Sequence, residues 1–311
     1  VDSVPIAVTA RLPTTGWAVS FRHRFPTVSR PDFKTSVDAA GVIPLLQSAE
    51  SHPEFVNHPE TAKLIASVEE VSGYRVTIDT IDGIQENAQM ISARPGNPFH
   101  LIRVNTAHRR YADYIVAVQC GMLLVMWSDP SKVPELVPDR AKCDYWGKRW
   151  SGSKPMASLP PESALRMANL YLQGLIQQLH SLPMEIRVAR LCFESCPGLR
   201  EMQHELLTAH LRQLSEIFSP KIRQQLPQEL FEKGAAMNAA LAKAWGELAE
   251  SRLPVIPYEA TGYLEKGENL LAVIDTLPEN TSENHVMTVD SWAEQLGMGS
   301  LFGWKYTNRI Q

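Results

Sequence analysis

The feature that most constrains the fold is an uncharged run of fourteen residues, Tyr114 to Trp127. It falls about six residues short of the roughly 20 that a membrane-spanning helix needs, so it belongs in a protein core. Fourteen residues also exceed ordinary strand length, and Ala117, Met122, Leu123 and Leu124 suit a helix despite the β-branched start. A helix that is apolar all round is a buried one.

What flanks this run predicts an α+β, mainly helical fold. Upstream, Pro59 to Val71 reads as a helix, with Pro59 in the first turn, an apolar stripe of Leu64, Ile65 and Val68, and Gly73 as its stop. Tyr74 to Ile81 and His100 to Asn105 alternate polar and apolar residues as half-buried strands do, with a turn-rich Arg-Pro-Gly-Asn-Pro segment between them. Downstream, Trp127 to Pro161 carries six prolines and reads as irregular. Helices follow at Glu162 to His180, Met184 to Glu194, Leu199 to Phe218 and Gln228 to Glu250, with Pro183 and Pro197 at first-turn positions. Four regions result. Residues 1–40 form an extended arm rich in Pro, Thr, Ser and Arg, and residues 41–160 an α+β core that opens with a helix over Asp38 to Ala49. Residues 161–250 are all helical, and 251–311 form an irregular extension with one short helix, Ser291 to Leu296, capped by Asp290.

Composition excludes several classes. With 44% hydrophobic and 21% charged residues, the chain is neither disordered nor fibrous. A net charge of -4, from 30 basic and 34 acidic residues, provides no global field for nucleic acid or an anionic membrane. One local patch interleaves Lys142, Lys148, Arg149 and Lys154 with Tyr145, Trp146 and Trp150, but Asp139 and Asp144 dilute it, and the tryptophans read as core anchors. Four scattered cysteines do not make a disulfide scaffold, and no basic, apolar, small-residue leader pattern opens the chain. The expected location is the cytoplasm.

The order helix, strand, strand, apolar helix over residues 59–127 resembles the core of the zincin metallopeptidases, in which a strand at the sheet edge leads to an active helix bearing His-Glu-x-x-His. Two histidines one turn apart bind zinc there, and the glutamate is the general base. The corresponding turn here is Val118-Gln119-Cys120-Gly121-Met122. Gly121 keeps the place that glycine holds before the second histidine in some zincins. The three functional positions depart from the pattern. Val118 has no donor atom, Met122 is a poor zinc partner, and the amide of Gln119 cannot take a proton from water. The resemblance therefore implies a zincin-like fold without zinc hydrolysis and without a metal or other cofactor; its alternative is a plain core helix.

Other constellations offer less. His204-Glu205 and His210 invite comparison with a zinc helix, but six residues turn a helix by about 120° from a shared face. His210 falls in the apolar stripe of Leu199, Met202, Leu206, Leu214 and Ile217 and reads as a core histidine. Glu201-x-x-His204 is half of a di-iron motif that has no second half in the chain. Cys192 and Cys196, one turn apart, are too few for a structural zinc site and read as buried apolar residues. His100, His108 and Asp113 flank the apolar helix as possible acid–base groups, and Arg103, Arg109 and Arg110 could clamp a carboxylate.

Three functions compete on these observations. The first is a catalytically silent zincin-like module that binds another protein or an extended peptide along an exposed edge at His100 to Asn105. The second is an enzyme that brings together at least two of His100, His108, His204 and Glu205. The third is a subunit of an assembly that docks through its proline-rich arm and through Trp292, Phe302 and Trp304.

Overall fold

The computed structural model describes residues 55–84, 86–94, 97–214 and 218–307. The arm over 1–40 and the helix over Asp38 to Ala49 lie outside them. The fold is α+β and mainly helical. Helix α1 (Pro59–Ser72) ends on Gly73, whose φ of 72° is the left-handed conformation that glycine adopts without strain. Strands β1 (Arg75–Ile81), β2 (Ala88–Ile91) and β3 (Phe99–Asn105) form a sheet in the order β1-β3-β2. β3 runs parallel to β1, with Ile102 beside Ile78, and antiparallel to β2, with Ile102 beside Met90. His100 to Asn105 is therefore the centre of the sheet and not an exposed edge. β2, only four residues long, takes that flank, and a stretch so short leaves no readable period in the sequence.

From β3 the chain turns through a 3₁₀ segment, Thr106–Tyr111, in which the Asn105 side chain accepts from the Ala107 amide. Helix α2 (Ala112–Met126) follows, and every residue of it except Val118 and Leu124 is buried. Where irregular chain was expected, β4 (Val133–Pro138) and α3 (Arg140–Ser151) form, the helix capped by the Asp139 carboxylate on the Lys142 amide. β4 pairs with β5 (Phe302–Thr307), a partner so far along the chain that no local pattern announces it.

The expected pair of helices over 162–194 is one helix, α4 (Pro161–Ser195), which runs straight through Pro183. An interior proline costs a helix about 3 kcal/mol. Burial of Leu179, Leu182, Met184, Ile186 and Val188 on either side of it offsets that. Then come α5 (Arg200–Leu214), α6 (Pro220–Gln225), α7 (Gln228–Leu248), α8 (Ile256–Ala260), α9 (Leu264–Thr276) and α10 (Ser282–Gln295). Over 251–307 the extension is thus built of helices and a strand. Its last helix begins nine residues before the expected start, because Thr281 and not Asp290 is the cap. Among the described residues no helix is long and apolar enough to cross a membrane.

The interior divides in two. One part holds the sheet, α1 and α2, with Ile102, Val116 and Met122 fully enclosed; the other gathers Leu136, Leu172, Leu241, Tyr258 and Trp292. The changeover falls between Val133 and Leu136, inside the span read as the zincin-like core. α4 joins the two parts: its earlier half lies in the helical body, while Met184, Val188 and Cys192 pack under α2. Arg187, buried on the same helix, donates to the carbonyls of Leu277 (2.6 Å) and Glu279 (3.2 Å) and to Thr288 Oγ1 (2.7 Å), which pins the α9–α10 loop to α4.

Candidate functional site

The central strand β3 and its 3₁₀ turn fix where α2 starts, and two contacts hold that start. Asp113 Oδ1 accepts from the His58 amide at 2.9 Å, and the Asp113 carbonyl accepts from Thr61 Oγ1 at 3.2 Å. Asp113 therefore ties α2 to the entry of α1. Beside it, Glu205 on α5 accepts from Arg110 Nη2 (2.6 Å) and Tyr111 Oη (2.7 Å), an exposed link that seats α5 against the turn.

Between these fixed points lies a cavity of about 60 Å³, where the flank of β2 meets α2, α4, α5 and α7. Val118 and Gln119 of the turn at 118–122 line it, together with Tyr114, Glu185, His210 and Trp245. That volume holds a few waters or a small chemical group. Met122 is not among its walls; it is fully buried in the core around the sheet. Gly121 is explained by packing, since a Cβ there would lie 2.7 Å from Val188 Cγ1.

The cavity's three titratable groups, Glu185, His210 and Tyr114, are uncharged at neutral pH. Burial pushes the Glu185 carboxyl up to about 8, against a smaller opposing effect of its hydrogen bond with Ser181, so it is protonated at neutral pH. Burial lowers the His210 imidazole to about 4, and the ring meets Trp245 edge-on at 5.1 Å. Tyr114, hydrogen-bonded to Gln203, is held in its protonated form by the same desolvation. The Trp245 indole N–H is buried and has no hydrogen-bond partner among the described residues.

The other residues singled out by sequence lie elsewhere. His100 is enclosed between Tyr74 and Trp127, its Nδ1 accepts from the Ala93 amide at 3.1 Å, and burial lowers it to about 4. His108 sits in the 3₁₀ turn, and Arg103 reaches Asp79 across the sheet surface at 3.9 Å. His204 borders a separate groove with Phe193 and Arg200, while Glu205 is engaged as above. The four residues proposed for an enzyme site thus do not meet in this cavity. Trp292 is fully buried, Phe302 is nearly so, and the Trp304 indole donates to Asp290 at 2.9 Å, so the C-terminal aromatics pack on their own chain. In the basic segment Trp150 donates to Glu229, and Arg149 covers the Trp146 ring at 4.5 Å, which leaves no open row of stacking faces.

Sequence reasoning did not single out Glu185, Tyr114 or Trp245. For Glu185 a signal exists: it is the lone carboxylate in Leu182-Pro183-Met184-Glu185-Ile186. Among the described residues no group of three His, Cys, Asp or Glu side chains is placed to hold a metal. No family model matches the chain, and neither curated proteins nor solved structures match it.

Proposed function

We propose that this chain is a zincin-like binding module without hydrolytic chemistry, which takes an extended peptide on the free side of β2, next to the cavity. What supports this most is the surface that the turn at 118–119 offers: a methyl-bearing side chain and an amide where a peptidase needs an imidazole and a carboxylate. The protonated Glu185 carboxyl beside them adds no base. Along the chain α1, β1, β2, β3 and α2 follow one another, and a strand leading into the apolar helix, here the central one, supports the zincin-like ancestry.

The register says which backbone groups a peptide would use. The Asn105 amide donates to the Asn87 carbonyl, so pairs 87/105, 89/103 and 91/101 are the hydrogen-bonded ones. The amides and carbonyls of Ala88 and Met90 then point away from β3, and among the described residues no strand pairs there. An added strand would bond to them and pass the cavity, which Asn87 and Ala88 border. The four thiols, all free, suit a reducing compartment such as the cytoplasm.

Panning a displayed random-peptide library on the folded chain tests the binding role. Peptides selected this way should lose affinity roughly tenfold or more on Ala88→Pro, which removes one outward N–H. Unchanged binding in both Ala88→Pro and Met90→Pro would remove β2 as the docking edge. The ancestry is tested by V118H/Q119E/M122H: rebuilt donors at helical spacing should bind one cobalt or zinc ion, and a triple variant that folds yet binds neither sinks the zincin-like reading.

A further inference from the structure

We infer that the free edge of β5 is where a second copy of this chain docks: two β5 strands pair antiparallel about a two-fold axis at Trp304, joining the two β4–β5 ribbons into one sheet. This interface is independent of peptide capture at β2. The β4–β5 ribbon has two outer edges, and its hydrogen bonding tells them apart. The Asp139 amide donates to the Leu301 carbonyl at 2.8 Å, and the register carries that phase along the ribbon, so 137/303, 135/305 and 133/307 are the hydrogen-bonded pairs. The backbone groups of Pro134, Leu136 and Pro138 then turn outward from β4, and the two prolines have no N–H to offer. That edge is closed to another strand. On β5 the outward residues are Phe302, Trp304 and Tyr306, each with an amide and a carbonyl. Among the described residues no strand lies on that side, and Gly303, Lys305, Tyr306 and Thr307 are exposed.

One closed edge and one open edge suit a symmetric dimer, because each copy brings a single row of groups and the two rows meet. The row also selects its register against itself. With the axis at Trp304, Phe302 lies opposite Tyr306 of the second copy, and every outward amide and carbonyl of the three residues finds a partner. Lys305 then lies across from Gly303, which has no side chain to crowd it. The neighbouring register, with the axis at Lys305, sets two ammonium groups face to face, and like charges directly opposite are destabilising. The register with its axis at Gly303 loses Tyr306 from the ladder. In the favoured one Tyr306, 54% exposed in a single chain, comes against the aromatic rim of Phe302 from the other. No residue of β5 lines the cavity at 118–119, so that cavity cannot read a foreign peptide placed at this edge.

Sedimentation equilibrium on the full chain, with reductant to keep the thiols free, tests the interface. The chain should dimerise reversibly, with half-association at roughly 10–100 µM, as a ladder this short implies. Tyr306→Pro should weaken the dimer roughly tenfold or more, because it removes an outward N–H. Its place opposite Pro134 is not a hydrogen-bonded one, so the ladder to β4 stays whole. Gly303 decides the register. A Cβ built there has nothing within 4 Å, so a side chain fits, and in the dimer it faces Lys305 of the second copy. Gly303→Lys should therefore weaken association and Gly303→Glu strengthen it, each by roughly threefold, with the difference shrinking in high salt. A chain that stays monomeric up to about 1 mM, or a dimer that Tyr306→Pro leaves unchanged, overturns the interface. Equal effects of lysine and glutamate at position 303 overturn the axis at Trp304.

Discussion

Gly121 lies where α2 passes closest to α4, and the added Cβ of an alanine would sit 2.7 Å from Val188 Cγ1 with both residues fully buried. Neither helix has slack at that point, because α2 is enclosed on nearly every face. Gly121→Ala should cost about 1–3 kcal/mol by overpacking, measured by urea unfolding. Val188→Ala in the same chain makes room for the methyl, so the double variant should lose less than the two single losses together. Equal, additive losses would mean that the two side chains do not compete. The same residue shows how a motif can mislead: its glycine is set by helix packing, whatever chemistry surrounds it. Site residues were legible only where one helix carries them. Val118 and Gln119 share a turn and could be read together, whereas Glu185, His210 and Trp245 come from α4, α5 and α7 and meet only through tertiary packing.

Helices with their own stop signals were readable, and elements that depend on a distant partner were not. α1 has Pro59 and Gly73 at its ends, and α2 has its unbroken apolar run. α4 fails the proline rule because Pro183 is held by burial on both sides, and β4 exists because β5 pairs with it across the whole helical body. Arg187 shows the same dependence in one side chain. It satisfies three carbonyls and a hydroxyl of the α9–α10 region from inside α4, so Arg187→Met keeps the apolar stem but strands those acceptors. The expected loss is about 2–4 kcal/mol, with faster proteolysis at 277–281, and Arg187→Lys should recover only part of it because the three N–H groups of one compact ammonium cannot serve four acceptors. Full recovery by lysine would show that charge alone matters. Ending the chain before Phe302 removes the only partner that β4 has among the described residues. Leu136 and Trp150 should then become exposed, and the midpoint of thermal unfolding should fall by several degrees.

Across the whole molecule, buried titratable groups set how stability follows pH, and they pull in opposite directions. His100 and His210 are lowered to about 4 and His285 is held well below its ordinary value, each because burial disfavours the imidazolium; His285 also faces His180 at 5.1 Å and has Arg187 nearby. In the unfolded chain they bind protons near 6.5, so on acidification below that value the unfolded state takes up protons that the native state refuses, and stability falls. Glu185 behaves in the reverse sense. Unfolded, it ionises near 4.5; folded, it holds its proton to about 8, so its contribution is complete below 4.5 and is lost as pH rises through that window. Below 6.5 three imidazoles outweigh one carboxyl, and between 6.5 and 8 the carboxyl acts alone among these groups. The melting temperature should therefore peak near pH 6.5. Glu185→Gln removes the alkaline limb, so the variant should be the more stable chain at pH 7, by roughly 3 kcal/mol, and should lose that advantage near pH 4.5. Unfolding midpoints of both chains across this range decide it: parallel curves would mean that Glu185 is already ionised in the native protein.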